Sequence, residues 1–208
     1  MQVLDVEQNS PEWMQARAGI PTASEFKTVL AKGRNGSASQ GRRTYMLKLA
    51  GERITGEPAE GFTNKHTERG HALEPEARAY YAFETDNEPA LVGFILADDG
   101  DVGCSPDSLV GDNGLLEIKT ALPHILIDTI LKDDFPPAHK AQCQGQLWIA
   151  EREWIDLVVY YPNMPTFIKR AYRDEEYITK LAQAVSEFND ELNEIVERVN
   201  GYGLKEAA

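Results

Sequence analysis

Asp107, Glu117 and Lys119 are the residues whose types and spacing could do chemistry. Asp107 follows Pro106, nine residues intervene, and Glu117-Ile118-Lys119 comes next. Two carboxylates and an ammonium in a stretch that otherwise reads Leu115-Leu116 and Ile118 are costly to bury unless they are paired or bound to metal. Hard oxygen ligands of this kind suit Mg²⁺ or Mn²⁺, which take one or two carboxylates and fill their shells with water and substrate phosphate. A lysine beside such a cation could position or help deprotonate an attacking water and neutralise charge on a pentavalent phosphorus. The plain alternative is a surface hairpin with an ordinary Glu/Lys pair, and the upstream Pro106-Asp107 weighs against it.

The element that must position these groups is a β-hairpin. Gly111-Asp112-Asn113-Gly114 separates two apolar runs, and Asn-Gly is a strong signal for a tight turn whose two central residues take positive φ. Alternation along the second strand sets Glu117 and Lys119 on one face and Ile118 on the other. The hairpin then returns Asp107 to the neighbourhood of Glu117.

Upstream, Ser10-Pro11-Glu12 is a helix start, and the helix over 12–18 should stop at Gly19 with Trp13 and Arg17 on one face. Thr22-Ala23-Ser24-Glu25 starts a second helix. Its free amides and hydroxyls make an anion site, or Thr22 and Ser24 are simple caps and Arg17 a solvated arginine. The glycine- and serine-rich segment 32–41 should be mobile, and Arg42-Arg43 opens the helix after it. That basic segment, with Arg42, is a candidate contact to a nucleic-acid backbone or else a plain connector.

Helix 71–85 carries Pro75 early, which puts Glu74 near its N-terminus, either as a first-turn acid or as a third carboxylate turned toward Asp107 and Glu117. Residues 90–97 and 102–109 read as strands and 123–131 as a helix. Helix 138–150 presents Gln142 toward an active-site edge or toward water. A strand pair over 154–161 and 166–172 precedes a long amphipathic helix striped by Leu181, Val185, Phe188 and Leu192.

Composition bounds the rest. The chain has 208 residues, 42% hydrophobic and 26% charged, long enough for a substantial core. No apolar stretch of about eighteen residues is present, so a cytoplasmic protein without membrane contact is expected. Cys104 and Cys143 are expected as reduced thiols, and the four histidines lack zinc-ligand spacing. A net charge of −13 argues against nonspecific polyanion binding. The bases between Arg17 and Arg53 nevertheless outnumber the acids there, as a basic channel in an acidic exterior would require.

Pro106-Asp107, nine residues and Glu117-Ile118-Lys119 together resemble the signature of the PD-(D/E)xK nuclease superfamily. Trp13 with Arg17, Thr22-Ala23-Ser24-Glu25, Arg69-Gly70 with Glu74, Ala141-Gln142-x-Gln144 and Trp148 stand in the order seen in lambda-type phage recombination exonucleases, the YqaJ-like viral recombinase family. The resemblance implies an α/β (α+β), restriction-endonuclease-like single domain over 1–208, with a central mixed β-sheet flanked by helices. It implies processive 5′-to-3′ digestion of one strand of linear double-stranded DNA, leaving a 3′ overhang for a single-strand annealing protein. Alternatives are another PD-(D/E)xK endonuclease or a non-catalytic assembly factor.

By the same resemblance, Asp107, Glu117, the Ile118 carbonyl and Glu74 are expected to hold two Mg²⁺ ions, with Mn²⁺ a substitute, about 3.5–4 Å apart. Lys119 is expected to orient water, Gln142 to support the nucleophile or scissile phosphate, and Arg17 with Ser24 to grip the 5′-phosphate. A homotrimeric ring is expected to thread the product strand. His139 stands where relatives often carry tyrosine.

Overall fold

The computed structural model describes residues 1–33, 36–59 and 65–203. The chain opens with a short strand, β1 (Gln2–Leu4), and a helix, α1 (Pro11–Arg17). Ser10 caps α1 by accepting from the Trp13 amide, Pro11 sits where its missing N–H is not needed, and Gly19 at φ +73° ends it. A single 3₁₀ turn, Ala23–Glu25, runs into α2 (Phe26–Leu30), with Thr22 at its head. Arg34 and Asn35, in the segment expected to be mobile, lie outside the described residues. The flanks of that segment are tied by Gly33 N–H to Ser37 O (2.7 Å) and Ser39 N–H to Ala31 O (3.2 Å). Ser39 then caps α3 (Gln40–Thr55) through the Arg42 amide.

The next helix, α4 (Lys65–Thr85), begins before the expected residue 71, which leaves Pro75 and Glu74 in its interior. The reading from proline fails because a helix can run past one, at a cost of ~3 kcal/mol, when packing on both sides holds it. Strands β2 (Pro89–Ala90), β3 (Phe94–Leu96), β4 (Gly103–Cys104), β5 (Ser108–Val110) and β6 (Gly114–Thr120) follow. After them come α5 (Pro123–Lys132), α6 (Pro137–Ile149), β7 (Trp154–Tyr160), β8 (Phe167–Tyr172) and α7 (Glu175–Asn200). Among the described residues, no helix is long and apolar enough to cross a membrane.

Each of the two strands expected over 90–97 and 102–109 is divided between two sheets. β1, β3 and β4 form an antiparallel sheet, while β2-β5-β6-β7-β8 form a five-stranded mixed sheet whose β6 and β7 run parallel. The second break falls at Ser105-Pro106, where proline has no N–H for a ladder. The break puts Asp107 in a loop entering β5 rather than inside a strand. The hairpin turn also differs from expectation. Val110 pairs with Gly114, the turn is residues 111–113, and Gly111 at φ +53° is its left-handed residue. Gly114 is glycine for packing, because a Cβ there would overlap the Trp154 ring.

Parity along β6 and β7 separates two cores. Leu115, Ile155, Leu157 and Val159 face the side covered by α2, α3, α6 and α7, together with Phe26, Leu147, Leu181 and Phe188. Leu116, Ile118, Val158 and Tyr160 face Ala77 and Tyr81 of α4. Asp156, buried on this second side, is satisfied by the Tyr81 hydroxyl (2.7 Å) and by the Arg170 guanidinium, bidentate at 2.8 Å. β6 is therefore covered on both faces, and the same parity turns Glu117 and Lys119 toward α6. Gly114→Val should cost roughly 1–3 kcal/mol by overpacking Trp154, read by urea denaturation, while Asn113→Ala should change little. Equal tolerance at both positions would contradict this account of the turn.

Candidate active site

Asp107 is set by its loop. Trp13 Nε1–H of α1 donates to Ser105 Oγ (2.8 Å), and Gln8 Nε2–H donates to Pro106 O (2.9 Å) and Val92 O (2.8 Å). The Asp107 amide donates to Leu116 O (3.0 Å), and its carboxylate Oδ2 accepts from Ile118 N–H (2.5 Å). The hairpin thus brings Asp107 beside Glu117, as the spacing predicts.

Glu117 is 2% exposed, and donors reach both of its oxygens. Lys119 Nζ lies 2.6 Å from Oε1, Gln142 Nε2–H donates to Oε1 (2.6 Å), and Gln146 Nε2–H donates to Oε2 (2.6 Å). Gln142 and Gln146 are one turn apart on α6, so one helix face meets one carboxylate. Close approach of α6 to its neighbours is secured at Gly145, where a Cβ would overlap the Phe26 ring. Gln144, on another face, donates to Tyr172 O (2.8 Å) and accepts from the Asp174 amide (2.9 Å), which is a structural tie.

The carboxylates raise one another's energy. Burial, then Glu117 and Glu74, hold Asp107 well above the usual carboxylate range, and Lys119 and the Ile118 N–H offset only part of this. Burial disfavours the Lys119 ammonium, but Glu117 and then Asp107 outweigh it, and Lys119 stays above its ordinary value. His139, in the first turn of α6, is pushed down by burial and by Lys119. Cys104 and Cys143 are both free and buried, and burial pushes each thiol up.

A second group stands on the other side of the same opening. Arg17 lies over the Trp13 ring at 3.8 Å, and its Nη2–H donates to Thr22 Oγ1 (3.3 Å), which is 3.2 Å from Ser24 Oγ. Thr22 thus spends its hydroxyl on Arg17 and Ser24 and makes no side-chain cap bond. The Thr22 amide donates to Tyr45 Oη (3.2 Å), and burial lifts that phenol to about 12. Arg17 Nε is buried with no acceptor among the described residues. One cleft of about 810 Å³ is lined by Arg17, Thr22 and Ser24 together with Asp107, Glu117 and Lys119.

The family model of the YqaJ-like viral recombinase domain matches residues 12–153. The chain belongs to that family. It is similar to an alkaline exonuclease (LHK-Exo) from Laribacter hongkongensis, at 35% identity and a TM-score of 0.86 over 95% of this chain and 100% of that one. The same exonuclease in complex with dAMP matches equally well. A phage related exonuclease from Haemophilus somnus 129PT shares the fold, at 16% identity and a TM-score of 0.66 over 86% of this chain and 96% of that one. No curated protein sequence matches. The mixed α/β architecture is that of these exonucleases.

Not every residue singled out in the sequence joins the family's cleft in the expected way. Glu74 lines it, but its carboxylate is paired with Arg78, which also donates to Ser108 Oγ (2.9 Å) and Asp107 O (3.2 Å). The expected third carboxylate is therefore a neighbour engaged with its own arginine, because α4 places Arg78 one turn after it. Among the described residues, no three of His, Cys, Asp and Glu converge into a ready metal cage. Arg42 lies outside the cleft and is bound by Glu191 of α7 through both terminal guanidinium nitrogens (2.6 and 2.9 Å). Its position after a glycine-rich segment gave no sign that α7 would supply a carboxylate. Ile118 packs its side chain against α4 and turns its amide to Asp107.

Gln146 was overlooked, although its four-residue offset from Gln142 is a readable signal. Its Oε1 is buried with no donor among the described residues, in a cleft whose carboxylates are the buried Glu117 and the half-buried Asp107. Hard oxygens of this number fit a divalent ion such as Mg²⁺ or Mn²⁺, with Asp107 and Glu117 as the residues that would hold it. Asp107 gives a test of this reading on stability. Its folded value lies above the unfolded one, so without metal its ionisation destabilises the fold, increasingly as pH rises from the unfolded value through the folded one. Asp107→Asn removes that penalty at neutral pH, and calorimetry in chelator should show a higher Tm than the parent. A lower Tm would mean that the carboxylate stabilises the metal-free fold.

Proposed function

We propose that this protein is a Mg²⁺-dependent 5′-to-3′ exonuclease that digests one strand of linear double-stranded DNA and leaves a 3′ overhang for annealing-type recombination. The observation that carries the reading is the single cleft holding two groups: a carboxylate pair with a lysine, and a half-buried arginine with two hydroxyls. The first suits hydrolysis of a phosphodiester and the second suits a terminal phosphate. The similar exonuclease that holds dAMP fits a product of the nucleoside monophosphate class.

A divalent cation at Asp107 and Glu117 would supply Lewis-acid polarisation of the scissile phosphate and a nucleophilic water at neutral pH. The protein's own groups do the rest. Gln142 and Gln146 fix the Glu117 carboxylate in one rotamer. Lys119, held as an ammonium by Glu117, directs positive charge at the phosphoryl oxygens as charge builds on them and orients the attacking water. Arg17, flattened on Trp13, has a buried Nε–H still lacking an acceptor, and a 5′-phosphate supplies one. Thr22 and Ser24 complete that grip. Pairing with Arg17 at the terminus would place the first linkage near Asp107, which is proximity used as catalysis.

A second ion belongs to the same proposal on the condition that Glu74 leaves Arg78. The homotrimeric ring, processivity and the annealing-protein partner rest on the family resemblance. Exposed Ile127 and Leu131 of α5 offer apolar surface for such contacts.

End-labelled linear duplex, digested with and without Mg²⁺, reads polarity, end requirement and metal dependence together. Release of 5′-terminal mononucleotides only with Mg²⁺ is expected, and prompt cutting of a covalently closed circle would replace the reading with an endonuclease. Lys119→Ala should lower the rate by about 10²–10³-fold without loss of fold by circular dichroism; a near-normal rate would remove its role. Arg17→Ala should weaken digestion of 5′-phosphorylated ends more than of 5′-hydroxyl ends. Equal losses on both would count against a phosphate grip.

A further inference from the structure

The geometry points to Gln146 as a second-sphere positioning residue for the divalent cation, one that couples the Glu117 carboxylate to a donor carried by the hydrated ion. The inference rests on the metal-dependent reading above and adds a residue to it. Gln146 is 1% exposed and lines the catalytic cleft from α6. Its amide has two ends with unlike fates. Nε2–H donates to Glu117 Oε2 at 2.6 Å, whereas Oε1 is buried with no donor among the described residues.

The orientation is not free. Turning the amide over would set Oε1 against a carboxylate oxygen, two acceptors without a proton between them. Glu117 therefore chooses which end of Gln146 faces it and leaves the carbonyl pointing elsewhere. Gln142 cannot do the same work, since its amide meets the opposite oxygen, Oε1, together with Lys119. The two oxygens of Glu117 are thus held by different partners: a glutamine with the lysine on one, Gln146 alone on the other.

A buried acceptor kept without a donor is a feature that a structure retains when some bound group supplies the donor. A cation that keeps part of its hydration shell carries outward-pointing O–H donors. Partners of this kind, one bond beyond the ligands, fix ligand orientation and hydration, and their loss weakens metal binding about 10–100-fold. Purely structural glutamines look different here: Gln144 has both ends of its amide satisfied by backbone.

The test measures Mg²⁺ binding without DNA, as the midpoint of the Mg²⁺-induced rise in Tm, on the full chain. Gln146→Leu should shift that midpoint to about 10–100-fold higher Mg²⁺, in addition to the lower Tm in chelator that loss of the bond to buried Glu117 Oε2 brings. An unchanged midpoint overturns the inference, and so does a fall in the chelator Tm with the midpoint kept, which is what a structural role gives. Gln146→Met, nearer in size to the native side chain and likewise without the amide acceptor, should show the same shift; a midpoint equal to that of the parent protein overturns the inference even if Gln146→Leu fails to fold. Asp107→Asn separates the two levels of the argument. If the parent protein responds to Mg²⁺ and Asp107→Asn does not, the metal site stands whatever Gln146 does. Absence of any response in the parent protein sinks both.

Discussion

Two carboxylates held close together out of water are the constraint on which the rest of this structure depends. Asp107 and Glu117 repel each other at the edge of a largely apolar core, and burial makes that repulsion felt. The donors bonded to them offset part of the cost. The Ile118 amide meets one carboxylate. Lys119, Gln142 and Gln146 meet the other. A groove lined with these groups is unfavourable to hold empty of cations and favourable to fill, which is the physical content of a metal site before any metal is named.

The fold positions those groups by covering β6 on both faces. Because Leu116 and Ile118 belong to the core under α4, Glu117 and Lys119 are forced toward α6, and a one-residue slip would reverse them. The parallel pairing of β6 with β7 needs a long crossover, and α5 and α6 supply it. The crossover helix that closes the topology is therefore the same helix that carries Gln142 and Gln146. The N-terminal segment serves the site from the other side, since Gln8 and Trp13 hold the loop of Asp107 while Trp13 also supports Arg17.

Much of this was legible in the sequence, for reasons that can be named. The hairpin, the facing of Glu117 and Lys119, and the return of Asp107 follow from strand alternation over a short span, and the helix ends at Ser10 and Gly19 from local capping chemistry. Features set by distant packing were not legible. The Asn113-Gly114 pair looked like the left-handed centre of the turn, yet Gly111 fills that role and Gly114 makes room for Trp154. Pro75 looked like a helix start and lies inside α4. Arg42 is paired with Glu191, a contact that only the packing of α7 on α3 supplies, whereas the pairing of Glu74 with Arg78 is an i,i+4 contact within α4 that the sequence does carry.

The most direct measurement of the central claim is anomalous scattering from a crystal of the protein grown with Mn²⁺. A peak at inner-sphere distance, about 2 Å as for Mg²⁺, from carboxylate oxygens of both Asp107 and Glu117 is the result this account predicts. Ordered Mn²⁺ bound elsewhere, with these two carboxylates still satisfied by protein donors alone, would contradict it.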